Sequence, residues 1–398
     1  MINKYLARYG HPQSQFSDYH LSEKVDIIVV IPCYKEKNLK VTLDCLNQCD
    51  CIGLHILVIV VVNESELSDE AALTTNQDTI KYLEQARFHS FTLKFCSIRL
   101  SPKKAGVGLA RKIGMDEAVR FYEKNNDEGI IACFDADSTC EHNYFQAIKG
   151  YFQNTQNELG LVYYEHPLDQ NENFIVGYEL FLRYYTDSLR FAGFPYAYQT
   201  LGSCIIVKSS AYQKYGGMAP RQAGEDFYFI NKIAMHGNVG EINDTTIFPS
   251  SRISDRVPFG TGDALGKMQN GIRANEVYNP EIFLIIKSFL SSALSYEQNI
   301  YDKMLQPFLT QIKFDQHVAI IRQETKSAQQ FEKRFFQWFD AFKTLKLTHF
   351  LDEKTAKVPI EKGINWLGQY YYQIDLTTLG LNEKLLAVRS HNRNYKLN

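Results

Sequence analysis

The feature that most restricts how this chain can fold is an alternation of short apolar runs with helical patterns through its first third. The runs at residues 26–31, 55–62, 92–98 and 129–134 read as strands. Helical patterns lie between them: residues 38–48, with Leu39, Leu43 and Leu46 on one face, residues 79–87, and a stretch starting near Gly106. Apolar strands alternating with helices imply a parallel sheet covered on both faces. Pro32 cannot continue a central ladder, so the first strand is expected to stop there and enter a loop at the sheet's carboxyl edge.

Beyond Asp137 the pattern becomes mixed. Residues 159–164 and 203–207 read as further strands on either side of an aromatic, helix-like stretch at 174–191, and residues 223–236 read as a helix. From about residue 263 the pattern is helical almost to the end, which places a boundary near 265. The expected organisation is an N-terminal extension (1–24), an α/β domain (25–265) and a helical C-terminal region (266–398).

At the end of the fourth run stands Asp135-Ala136-Asp137. Two carboxylates one residue apart thus leave a buried strand where open α/β sheets bind ligands. Hard oxygen ligands suit Mg²⁺ or Mn²⁺, which bind through one or two carboxylates plus the oxygens of a substrate diphosphate. Taken alone, such a pair is equally compatible with a solvated turn.

The other segments carry chemistry of the same kind. Tyr34 and Glu36, just after Pro32, are placed to meet a base or ribose, and the Asn63 amide offers a donor and an acceptor to a nucleobase edge. Gly106 and Gly108 open a helix flanked by Lys104 and Arg111, which suits an anionic nucleotide. The segment lacks the third glycine of a dinucleotide fingerprint and the G-K-[ST] of a Walker loop. Glu225-Asp226 falls at a helix start, where capping and general-base roles are both open. Arg252 and Arg256 lie among serines and glycines (residues 250–262), a setting for forked contacts to phosphate on a mobile loop.

Composition removes several classes. A net charge of −2 gives no case for nucleic-acid binding. No run approaches the ~18–20 apolar residues of a membrane span. Met1-Ile2-Asn3-Lys4-Tyr5 lacks the apolar core of a signal peptide, so the expected location is cytoplasmic. The eight cysteines include no C-x-x-C pair and are expected to be reduced and structural.

In order, these segments resemble the family 2 glycosyltransferases of the GT-A fold, over about residues 25–262. The likeness rests on Ile31-Pro32-Cys33-Tyr34-Lys35-Glu36, Gly106 to Arg111, Asp135-Ala136-Asp137 and Glu225-Asp226. It implies a GT-A, Rossmann-like mixed sheet with helices on both faces, and a nucleotide-diphosphate sugar over the strand ends. It further implies a divalent ion, Mn²⁺ or Mg²⁺, between Asp137 and the diphosphate, with Asp135 near the ribose or ion. Asp226 would be the general base of an inverting transfer to a hydroxyl, ionised at neutral pH, with Glu225 orienting the acceptor or supporting Asp226. Arg252 or Arg256 would approach the leaving diphosphate. Lys35 stands where the family usually has Asn, and Asn63-Glu64 where it has an Asp pair. The Q-x-x-R-W signature of processive synthases is absent.

Two enzyme classes that share such a sheet fit less well. A nucleotidyltransferase would show a Gly-rich, Arg-containing signature after the first strand, and a dehydrogenase G-x-G-x-x-G; the chain has Pro32-Cys33-Tyr34 there. An inactive nucleotide- or glycan-binding scaffold would not need Asp135, Asp137 and Asp226. In the C-terminal region Phe331, Phe335, Trp338, Phe342 and Leu345 share a helical face beside basic residues. That face is expected to pack on the catalytic domain or on a second subunit, with peripheral membrane contact as the alternative. The latter would fit a lipid-linked acceptor, against a glycan or small molecule otherwise. The aromatics from Phe181 to Tyr198 either line the acceptor side or form core.

Overall fold

The computed structural model describes residues 3–17, 24–125, 128–168, 172–222, 224–254, 260–272, 275–295 and 303–395. The chain runs through α1 (Lys4–Arg8), β1 (Ile27–Cys33), α2 (Leu39–Asn47), β2 (Ile56–Ser65), α3 (Glu70–Gln85) and β3 (Thr92–Leu100). It continues with α4 (Val107–Lys124), β4 (Ile130–Cys133), β5 (Thr139–Cys140), α5 (Tyr144–Asn154) and β6 (Leu159–Tyr164). Next come α6 (Glu172–Phe191), β7 (Ile205–Lys208), α7 (Ser209–Lys214), α8 (Glu225–Ala234), β8 (Val239–Phe248) and α9 (Thr261–Gln269). Helices then dominate, from α10 (Pro280–Leu294) to a last one at Leu381–Asn394. Two compact units result, one of residues 1–171, 200–266 and 393–398, the other of 172–199 and 267–392.

The first unit is built on an eight-stranded sheet in the order β3-β2-β1-β4-β7-β6-β8-β5. β1 to β4 pair in parallel, β7 runs antiparallel to β4 and β6, and β6 pairs in parallel with β8. This is the mixed sheet with helices expected for a GT-A fold. Ile27, Val29 and Ile31 of β1 and Val58 and Val60 of β2 are fully buried. Each such side chain contributes about 1.5–3 kcal/mol on leaving water.

The sheet differs from the sequence expectation in places that have physical causes. β1 does not stop at Pro32 but runs to Cys33, still paired with β2. The Val30 carbonyl accepts from Phe134 N–H at 3.0 Å, so Val30 faces β4, and Pro32, two residues on, faces the same side. The β1–β4 register ends at Val30 and Cys133, so the missing proline N–H costs no ladder bond. β2 likewise continues through Asn63 to Ser65 against β3. α3 begins at Glu70 rather than near 79, because Asp69 caps it by accepting from Ala72 N–H at 2.6 Å. β8 alternates only as far as Asn243: Asp244 is exposed where the alternation calls for a buried residue, and the pairing with β6 shifts register.

Residues 3–17 are fastened to α4 through two buried carboxylates. Asp116, fully buried, accepts from Tyr5 Oη at 2.6 Å, Tyr212 Oη at 2.9 Å and His11 N–H at 2.7 Å, and pairs with Lys112 at 2.9 Å. Glu117 accepts from Ser14 Oγ and Gln15 N–H, both at 3.1 Å, and from Arg120 at 2.7 Å.

In the second unit α6 carries a buried polar network. Glu179 accepts from Arg183 Nε at 2.8 Å and from Arg389 Nε and Nη2 at 2.9 and 2.8 Å. Asp187 accepts from Tyr372 Oη and Asn392 Nδ2, both at 2.7 Å. Tyr184 packs on Phe283 and Phe194 on Phe336, so these two aromatics are core. The aromatic face expected over residues 331–345 is not one helix. It divides into helices Ala328–Trp338 and Ala341–Asp352, because Asp340 caps the second by accepting from Lys343 N–H at 3.0 Å. Among the described residues no helix is long and apolar enough to cross a membrane.

Candidate active site

The carboxyl ends of β1, β2 and β4 and the starts of α4 and α8 surround a cavity of about 570 Å³. Of the residues singled out in the sequence, it brings together Pro32, Tyr34, Glu36, Asn63, Gly106, Arg111, Asp135, Asp137, Glu225, Asp226 and Arg252. Lys104 is exposed and is not part of the lining. Arg256 lies outside the described residues.

Arg111 is the centre of one half of the site. Its Nη2 donates to Asp135 Oδ1 at 2.7 Å and its Nη1 to Glu225 Oε1. Burial works against the guanidinium charge, but Glu225 and Asp135 outweigh it and hold Arg111 above its ordinary range. Two glycines make the arrangement possible by leaving room. A Cβ on Gly202 would meet both Arg111 Nη atoms at 2.7 Å, and one on Gly108 would meet the Arg221 carbonyl oxygen at 2.2 Å. Gly202 was not singled out in the sequence, where a lone glycine before a strand carries no signal of close approach.

Arg252 organises the other half. Its Nη2 donates to Glu36 Oε2 and to Asp137 Oδ2, the latter at 2.9 Å. Glu36 also accepts the Asn38 N–H at 2.6 Å, so both its carboxylate oxygens carry hydrogen bonds from within the protein. Nε of Arg111 and of Arg252 is buried without a hydrogen-bond partner.

Lys35, between Tyr34 and Glu36 in the chain, is in the left-handed region, at φ 49°. Its N–H donates to Asn76 Oδ1 at 3.0 Å, and Asn76 Nδ2 reaches the Asn63 carbonyl at 3.1 Å, so Asn76 of α3 ties the ends of β1 and β2. Asn tolerates this backbone better than Lys. Lys35→Asn should therefore gain about 0.5–1 kcal/mol in backbone preference. The exposed Lys35–Asp69 pair at 3.0 Å would be lost, at a cost of a few tenths. The urea midpoint should rise slightly; a clear fall would show that Lys35 is needed where it stands.

Asp226 differs from its neighbours. Asp135 and Glu225 are held by Arg111, and Glu36 and Asp137 by Arg252, whereas the hydrogen bond to Asp226 comes from the Phe227 N–H at 2.7 Å. Burial, reinforced by Glu225, pushes the Asp226 carboxyl up to about 7. Set against the expectation of a carboxylate ionised at neutral pH, burial beside Glu225 pushes the other way and outweighs the helix-start N–H. Asp135 is also raised, by loss of solvation in the cavity wall against the opposing pull of Arg111.

Carboxylate oxygens are the donor type that a hard divalent ion takes. Asp135 and Asp137 both line the cavity with carboxylate oxygens, and no group of three or more His, Cys, Asp or Glu side chains that could hold a metal occurs among the described residues. Arg252 meanwhile supplies the positive charge on Asp137.

No family model matches the chain, and no curated protein matches it. Among solved structures it is similar to Staphylococcus aureus TarS. For residues 1–349 with UDP-GlcNAc the TM-score is 0.41 at 13% identity, covering 93% of this chain and 90% of that one. For the UDP complex the TM-score is 0.40 at 12% identity, covering 93% and 89%.

Proposed function

We propose that the chain is a glycosyltransferase of the family 2 type, moving a sugar from a nucleotide-diphosphate donor to a hydroxyl acceptor with inversion at the anomeric carbon. The observation that carries this reading is the division of labour among five carboxylates around one strand-end cavity. Four are neutralised in pairs by Arg111 and Arg252, and the fifth, Asp226, titrates near neutrality. A base with a pKa near the working pH combines availability with proton affinity.

On this reading Tyr34 and Asn63, at the ends of β1 and β2, meet the base and ribose. The diphosphate lies toward Asp135, Asp137 and Arg252, and the unpartnered Nε of Arg252 suits a phosphate oxygen. Asp226 takes the acceptor proton as that oxygen attacks, while Arg252 moves its charge toward the departing diphosphate. Glu225, buried and held by Arg111, supports Asp226 by raising its proton affinity rather than orienting the acceptor. Mg²⁺ or Mn²⁺ on Asp135 and Asp137 would supply further stabilisation of the leaving charge.

Asp137→Ala should abolish metal-dependent binding of a nucleoside diphosphate while the fold persists, since Arg252 keeps Glu36. Calorimetry with Mn²⁺ tests this, and unchanged affinity would remove Asp137 from the ion. Donor hydrolysis across a panel of nucleotide sugars, with and without Mn²⁺, separates the enzyme from an inactive scaffold: no turnover of any donor would favour the scaffold.

A further inference from the structure

Away from the cavity, three cysteines of the first unit converge. Cys45 lies on α2, Cys49 four positions on and just past the end of that helix, and Cys140 on β5. Cys140 Sγ is 4.0 Å from Cys45 Sγ and 3.6 Å from Cys49 Sγ. The Cys140 N–H also points at Cys45 Sγ, at 3.3 Å. Cys49 and Cys140 are buried, whereas Cys45 is partly open to solvent. Cys45 Sγ also donates to the Cys140 carbonyl at 3.4 Å; the neighbouring Cys140 and Cys49 thiols draw the Cys45 thiol below its ordinary range, while Cys49 and Cys140 are held above theirs. Burial does the opposite at Cys96 and Cys133, each pushed up to about 12. One partly accessible sulfur in contact range of two buried ones is the arrangement of a reactive cysteine with a resolving partner.

We propose that Cys45, Cys49 and Cys140 form a hydroperoxide-reactive thiol site, in which Cys45 is oxidised and Cys140 closes it as a disulfide between α2 and β5. In the first step the Cys45 thiolate attacks hydrogen peroxide. The O–O bond breaks, an S–O bond forms, and hydroxide leaves, giving the sulfenic acid. In the second the Cys140 sulfur attacks Cys45 Sγ. The S–S bond forms, the S–O bond breaks, and hydroxide departs with the thiol proton as water. Both electrons removed from the thiols reduce the peroxide.

The link would reach the strand-end segment. Thr42, one turn before Cys45 on α2, already donates to the Ala136 carbonyl at 3.0 Å. Cys140 lies three residues beyond Asp137. A covalent bond there would fasten residues 136–140 to the same helix at both ends. The site does not depend on the transferase reading.

The test is to treat the folded protein with a small excess of hydrogen peroxide, block remaining thiols with N-ethylmaleimide, and map peptides by mass spectrometry. A Cys45–Cys140 link is expected first, with Cys96 and Cys133 still alkylated. Before oxidation, iodoacetamide at neutral pH should label Cys45 roughly ten-fold faster than Cys96 or Cys133. In the C49S/C140S double variant dimedone should trap a sulfenic acid at Cys45. Oxidation spread evenly over the eight cysteines, a first link that omits Cys45 or Cys140, or labelling of Cys45 no faster than the others would overturn the proposal. The mapping and labelling use the unaltered chain, so they stand even if the variant folds poorly.

Discussion

Asp226→Asn should lower kcat by roughly 10²-fold or more while leaving donor affinity little changed. Asn keeps the shape and can accept the Phe227 N–H, but it cannot take a proton. The ionised carboxylate is the active form, and burial with Glu225 raises its pKa to about 7. In the unaltered enzyme kcat/KM should therefore rise with pH through about 7 and level off above it. Glu225→Gln removes the neighbouring negative charge and should move that rise to lower pH. Stability supplies an independent check. A carboxyl raised in the fold above its unfolded value favours folding least above its folded pKa, so ionised Asp226 is a burden at pH 8. Asp226→Asn should then raise the melting temperature at pH 8, whereas a residue that served only to cap α8 would lose stability and little rate. Turnover within a few-fold of the unaltered enzyme would remove Asp226 from the chemistry.

Arg111→Met should cost about 3–5 kcal/mol of stability at neutral pH, because breaking a buried ion pair strands its partner. Glu225, only 2% exposed, and Asp135 would both lose their counter-charge. The loss should shrink toward pH 4, where the two carboxylates can be neutralised by protonation instead. Arg111→Lys should recover part of it, since an ammonium replaces the charge but cannot span two acceptors with a planar fork. Urea denaturation at the two pH values measures all of this. A neutral-pH loss under about 1 kcal/mol would mean that the carboxylates find other partners.

The strand-and-helix alternation was readable because apolar periodicity reports directly on burial of β1 to β4. The residues of the cavity were readable for a related reason: they follow the ends of those strands, where short polar motifs interrupt apolar runs. What the sequence concealed depends on pairing across distance. Pro32 could stay in β1 only because β4 ends before it. Asn76 looked like an ordinary polar residue, yet it joins the ends of β1 and β2. Gly202 matters through its distance to a guanidinium ninety-one positions earlier in the chain, which no local pattern encodes. The upward push on Asp226 could not be read because a helix-start motif displays the N–H groups but hides the burial.

The attachment of residues 3–17 has a consequence for α4 as a mechanical part. Arg111 and Asp116 are five positions apart, so their side chains leave the helix about 140° from one another. One side is locked to the carboxylates of the cavity, the other to Tyr5, Tyr212 and the His11 backbone. A helix held on one side only can roll about its axis, whereas α4 is keyed on two. Turning it by a single residue would unseat both keys at once. The angular setting of the Arg111 fork is thus shared with an N-terminal segment that touches none of the cavity's lining residues in the contacts described.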